Sequence, residues 1–190
     1  MQNKPLLIGL HGRARSGKDT IADYLVKIHG FEKVSFAAPI REMACKIFNC
    51  SLKQLECIKE VVDPCLGVSP RDVMQTLGTE WGRNINPDLW VITALRHIRS
   101  AMSDGISVVV SDVHFDNEAH MIRDNGGEIW TVIRPEVKHI RKHPSERGIA
   151  YQEGDRVICN TTTLGDLYHR TNLLCNTLAS SSGASRNSRN

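Results

Sequence analysis

Apolar and polar positions fall into two regimes along the chain: short unbroken apolar runs that end in Gly or Asp, and longer stretches with an apolar residue every three or four positions. Unbroken runs fit strands buried on both faces, and the spaced stretches fit amphipathic helices. "PLLIGL" is the first run, and a Gly-rich loop follows it directly. "DTIADYLVKIHG" then sets Ile21, Leu25 and Ile28 on one helical stripe and stops at Gly30, a C-cap residue. A second strand is expected near residues 33–36, followed by a helix entered through Pro39. Residues 51–68 carry only a weak helical pattern. Ser69, Pro70 and Gly78 punctuate a short helix as N-cap, first position and end. In "NPDLWVITALRHIRSAM" the stripe is Leu89, Ile92, Leu95 and Ile98. "ISVVVSD" reads as a strand that delivers Asp112 at its C-terminal end; the helix "DNEAHMIRDNGG", the strand "EIWTVI", a basic loop over 134–153, the strand "RVICN" and a helix from 164 to about 178 complete the order. Strands alternating with helices specify an α/β fold, a parallel sheet covered by helices on both faces.

Composition adds limits. A chain of 190 residues that is 41% hydrophobic can bury one core, so a single domain over 1–178 is expected, the basic loop being its one small excursion. From residue 179 "ASSSGASRNSRN" has nothing to bury and reads as a disordered tail. Lys and Arg total 24 against 21 Asp and Glu, too even a balance for a polyanion-coating protein, so no nucleic-acid partner is expected. No apolar run approaches a membrane span and the start resembles no signal peptide, which points to a soluble, cytoplasmic protein without a membrane partner. Six cysteines occur with no CxxC pair, and buried free thiols account for them better than disulfides or a metal.

Chemistry concentrates in "GLHGRARSGKDT". Gly12-x4-Gly17-Lys18 between a strand and a helix is the pattern of a phosphate-cradling loop. Glycines let main-chain N–H groups converge on phosphate oxygens, the helix N-terminus favours anions, and the Lys reaches the β- and γ-phosphates. Asp19 stands where that pattern has a hydroxyl. A carboxylate is a hard ligand for Mg²⁺, directly or through water, and Thr20 supplies a hydroxyl one position on. Asp112 fits a strand-end carboxylate that organises Mg²⁺, or the cap of the helix after it.

Several stretches in order resemble the bacteriophage deoxynucleoside monophosphate kinases of the P-loop kinase group: "GRARSGKDTIADYL", "FAAPIRE", "RDVMQTLGTEWGR", "LWVITAL", "SDVHFDNEAHMIRDNGGEIWTVIRP", "HPSERGI" and "DRVICNTTTLGDL". The resemblance implies a P-loop NTPase fold with a small basic lid, and an ATP- and Mg²⁺-dependent kinase acting on a nucleoside monophosphate. It implies that Arg15, Ser16, Gly17, Lys18, Asp19 and Thr20 meet the ATP phosphates, with Asp19 and Asp112 at the metal. On the acceptor side it implies Ile40, Arg41, Arg71, Gln75, Trp90, His114 and Glu118, and in the lid Arg141 and Glu146, with Lys18, Asp112 and Arg141 as catalytic residues. By residue type alone, Arg41 and Arg71 equally fit solvated helix faces, Trp90 a core position, and the lid's Arg134, Lys138, Arg141, Lys142 and Arg147 a solvated charge run. His114 stands where the resembled family has an Arg, which leaves the acceptor preference open. Kinases of dephospho-coenzyme A or phosphomevalonate, and a nucleotide-binding protein without turnover, are the alternatives. Oligomeric state is open, a homodimer included.

Overall fold

A computed structural model describes residues 4–135 and 148–184, the last four as backbone. Its elements in chain order are β1 (Leu7–His11), α1 (Lys18–His29), β2 (Glu32–Val34), α2 (Ala38–Ile47), α3 (Leu52–Ile58) and α4 (Pro70–Gln75). A π-helical segment (Thr76–Gly82) follows, then α5 (Arg83–Ile85), α6 (Leu89–Ser103), β3 (Val108–Val113), α7 (Asp116–Asp124), β4 (Glu128–Ile133), β5 (Arg156–Cys159) and α8 (Leu164–Ala184). The chain divides into two compact units: residues 1–34 with 95–190, and residues 35–94.

The first unit is a five-stranded, wholly parallel sheet in the order β2-β3-β1-β4-β5. Its centre, β1, is buried on both sides, which is why its sequence is an unbroken apolar run. Ile8 and Leu10 enter a core with Ile21, Ala22 and Leu25 of α1 and Leu167 and Cys175 of α8. Gly9 faces the other way, where a Cβ would come within 2.5 Å of Ile122 Cδ1 on α7. Fully buried aliphatic side chains such as Ile8 and Leu25 contribute about 1.5–3 kcal/mol each. α1 ends as expected at Gly30 (φ 69°), where the N–H groups of Gly30 and Phe31 close on Val26 O at 3.2 Å and Leu25 O at 3.3 Å.

The second unit holds α2 to α5, the π-helical segment and the start of α6. Ser51 and Gln54 cap α3 reciprocally, and Ser69 and Asp72 do the same for α4. Four expectations about the helices need correction. The helix from Ser69 does not stop at Gly78 but widens into the π-helical segment. Gly78 and Gly82 serve close packing there: a Cβ on Gly78 would lie 3.0 Å from Ile40 Cδ1, and one on Gly82 2.8 Å from Trp90 Nε1. In α6 the buried stripe is Trp90, Val91, Ala94, Ile98 and Ala101, with Ile92 exposed; in α1, Ile28 is likewise exposed. α8 runs on to Ala184, so residues 179–184 of the expected tail are helical; residues 185–190 lie outside the described residues.

All six cysteines are free, but only Cys175 is buried, and Cys57, Cys65 and Cys159 are exposed, contrary to the expected buried thiols. Among the described residues no helix is long and apolar enough to cross a membrane.

Candidate active site

β1 leads straight into the loop 12–17, whose path depends on three positive-φ positions: Gly12 (140°), Arg15 (62°) and Gly17 (110°). Gly12 is pressed so closely on β4 that a Cβ would overlap the Val132 carbonyl oxygen. Arg15 has a side chain and still adopts the left-handed region, a strain of about 1–2 kcal/mol of the kind that persists where surrounding structure over-determines the backbone. Lys18, the first residue of α1, is buried and donates its Nζ to Gly12 O at 2.6 Å and Arg13 O at 2.8 Å. Ser16 is 1% exposed, and its Oγ is buried without a hydrogen-bond partner. An orphan donor in a loop of converging backbone calls for an acceptor, and a phosphate oxygen is one.

A cleft of about 330 Å³ opens beside this loop. Arg15, Gly17, Lys18, Asp19 and Thr20 line it from the loop and α1, and Arg134, Asn160, Thr162, Leu164 and Leu167 from the segments that follow β4 and β5. The latter group went unread in the sequence apart from Arg134, although the stretch "ICNTTTLGDL" carried its residues. Asn160 follows β5 and donates its Nδ2 to Ser16 O at 2.8 Å.

Asp19 is 81% exposed and pairs with Lys33 at 3.2 Å, and Lys33 reaches Asp23 at 2.9 Å. Burial alone would lower the Lys33 pKa, but the hydrogen bonds and charges of Asp23 and Asp19 outweigh it and raise the pKa. Asp112 is buried near the end of β3, within an irregularity of the β1–β3 ladder: Gly9 pairs with Val110 and His11 with Val113, leaving one extra residue on β3. Such a bulge re-aims side chains, and this one adjoins the start of the phosphate loop. His11 Nδ1 lies 2.9 Å from Val113 O, which fixes that nitrogen as the donor. Burial holds the His11 imidazole below its ordinary pKa, Lys18 adds to the lowering, and the Val113 hydrogen bond and the carboxylates of Asp116 and Asp155 oppose it. Glu118 is buried and accepts from the main-chain N–H groups of His114 at 2.8 Å and Phe115 at 3.1 Å, so its carboxylate caps α7.

In the second unit Ile40 is buried against Gly78. Arg41 donates to Ser35 Oγ at 2.9 Å, and Arg71 Nε to Glu60 at 2.5 Å. Gln75 ends α4. Trp90 is core: its indole N–H donates to Gly78 O at 2.8 Å. The exposed aromatic is its neighbour Trp81, 48% exposed on the π-helical segment, with ring centroids 6.4 Å apart. Sequence reasoning passed Trp81 over because nothing in "TEWGR" distinguishes it from a surface residue. Arg141 and Glu146, with the lid's Lys138, Lys142 and Arg147, fall outside the described residues.

Parallel sheet, phosphate loop and following helix define a P-loop kinase fold. A dephospho-CoA kinase from Campylobacter jejuni shares it with a TM-score of 0.52 at 11% identity, over 92% of this chain and 98% of that one. Residues 51–171 match the deoxynucleotide monophosphate kinase family. A mimivirus protein (Acanthamoeba polyphaga mimivirus) named as a deoxynucleotide monophosphate kinase is 34% identical over 178 residues, covering 86% of this chain and 92% of its own length. The deoxynucleoside-5'-monophosphate kinase of Escherichia phage T5 is 27% identical over 214 residues, covering 76% and 85%. The chain belongs to the deoxynucleotide monophosphate kinase family, and it is a phosphotransferase.

Proposed function

We propose that the chain moves the γ-phosphoryl group of ATP to the phosphate of a deoxynucleoside monophosphate, giving the diphosphate and ADP. The observation that carries this is the loop itself: Lys18 at the head of α1, the orphan Ser16 Oγ and three positive-φ positions beside a cleft, in a chain of this family.

The acceptor phosphate is already an anion at neutral pH, so no general base is required. Its oxygen forms the new O–P bond as the β–γ bridging bond breaks, and the protein's task is alignment and charge neutralisation. Lys18 leaves the Gly12 and Arg13 carbonyls for the β- and γ-phosphates, and Arg15 and Arg134, both in the lining of the cleft, add cations. Buried Asp112 and, near the loop, Asp19 and Thr20 are oxygen donors suited to Mg²⁺, which when bound shields the phosphate charge. Asp19 would exchange Lys33 for that duty. Arg41, Arg71 and Gln75 of the second unit serve the acceptor, and in that unit Trp81, not the buried Trp90, supplies the aromatic surface for the base. We place the enzyme in the cytoplasm, without nucleic acid or membrane as partner.

A coupled ADP-release assay with dGMP, dTMP, dCMP, dAMP, their ribonucleotide counterparts, dephospho-coenzyme A and phosphomevalonate tests this. Turnover with at least one deoxynucleotide, above the ribonucleotides and the other acceptors, is expected. ATP binding without acceleration by any nucleotide would overturn it.

A further inference from the structure

Asn160 sits one residue beyond β5, and two sets of contacts fix it. Its main-chain N–H donates to Ile133 O at 2.7 Å, extending the β4–β5 ladder past Cys159. Its side chain reaches across 144 positions of sequence to donate Nδ2 to Ser16 O at 2.8 Å. A carbonyl oxygen can only accept, so the amide must present its NH₂ there. The fit around it is close: a Cβ on Gly17 would lie 2.7 Å from that same Nδ2, so Gly17 is required by contact as well as by its φ of 110°.

A trans peptide carries its C=O and N–H in opposite directions. Pinning the Ser16 carbonyl on Asn160 therefore turns the Gly17 N–H to the opposite side of the peptide, away from Asn160. The other end of the loop is held independently, by Gly12 against Val132 on β4. β4 and β5 are neighbouring strands, so both ends of the cradle are referred to one rigid edge of the sheet.

We propose that Asn160 is a positioning residue for phosphate binding: its amide holds the Ser16–Gly17 peptide in the orientation that aims the Gly17 N–H at a phosphate of the nucleoside triphosphate. This rests on the loop being the ATP phosphate site. Asn160 acts through the backbone of the loop, so its effect extends to any polyphosphate, whether or not a base is attached.

The test uses the full chain with Asn160→Leu, which keeps side-chain size and adds no charge, and Asn160→Ala. Binding of ADP and of inorganic tripolyphosphate, each with Mg²⁺, is measured by calorimetry, alongside the Tm of the ligand-free protein and steady-state kinetics. Loss of one such hydrogen bond should weaken both ligands about tenfold and raise the ATP KM to match, with the acceptor KM and the ligand-free Tm near wild type. Weakening of ADP alone would mean that Asn160 touches the nucleoside directly, and would overturn the proposal. So would wild-type binding of both ligands, or a ligand-free Tm lowered in both variants by more than about 5 °C, which marks a merely structural residue. A wild-type protein that binds neither ligand would instead refute the ATP-site reading.

Discussion

Replacing Asp155 by Ala should be among the most damaging single changes in the first unit. The Asp155 carboxylate accepts Arg123 Nε at 3.1 Å, Arg123 Nη2 at 2.6 Å and the Gln152 N–H at 2.8 Å, with the Arg and Asp side chains only 13% and 4% exposed. Arg123 Nη2 also reaches Ala150 O at 3.0 Å, while its Nη1 is buried without a partner. Asp155→Ala thus strands a guanidinium whose remaining protein acceptor among these is a single carbonyl, and it leaves the Gln152 N–H unmet. Breaking a buried pair from one side costs about 3–5 kcal/mol. The residual exposure of Arg123 and its bond to Ala150 put this case at the lower end, about 3 kcal/mol. At about 2–4 °C per kcal/mol for a domain of this size, Tm should fall by roughly 6–12 °C. Urea denaturation with a shared m value gives the free energy directly. Removing the stranded charge as well, in Arg123→Met/Asp155→Ala, should recover most of the loss. A single variant that costs under about 1 kcal/mol, or a double variant that costs the sum of both singles, would show that the pair is not coupled in this way.

Lys18→Ala should lower kcat by about a hundredfold or more, since such contacts act on charge that shifts in the transition state; a variant keeping more than a tenth of the wild-type kcat would remove Lys18 from that role. Trp81→Ala should raise the acceptor KM about tenfold and leave the ATP KM unchanged, whereas equal shifts in both would mean a general loss of structure. For His11 the folded pKa lies below the unfolded one, so the unfolded chain takes up the proton first as pH falls. That part of the stability is complete above the unfolded pKa and is lost as pH drops toward the folded value. Between about pH 7.5 and 5 the wild type should therefore lose more Tm than His11→Asn, which keeps a donor for Val113 O without titrating; parallel losses would refute it.

The parts of the fold visible in the sequence were those fixed by neighbours along the chain. β1, the loop and α1 follow from an apolar run, two glycines and a lysine, and Ser69 with Asp72 caps α4 by local hydrogen bonds. Helix phase was harder. Leu89, Ile92, Leu95 and Ile98 are correctly spaced, but the small residues Ala94 and Ala101 admit close packing and move the buried stripe onto Trp90, Val91 and Ile98. The π-helical segment was invisible because a widened turn has no periodicity of its own, and Gly78 read as a stop when it is a contact for Ile40. Asn160 was hidden for a different reason: its partner Ser16 is 144 residues away, and nothing local marks an amide that crosses the sheet edge.

Among the described residues β1 pairs only with β3 and β4, so the central strand has no such partner until residues from 108 onward have been made. The second unit, residues 35–94, lies in that interval. At about 5–20 residues per second on a ribosome, the strand that bears the phosphate loop waits some 5–20 s, apolar on both sides, while 35–94 can already form its local helices. Slow elongation or a truncated message would leave this strand uncovered. The nascent chain, more than the finished enzyme, is the form in which this protein should most need a chaperone.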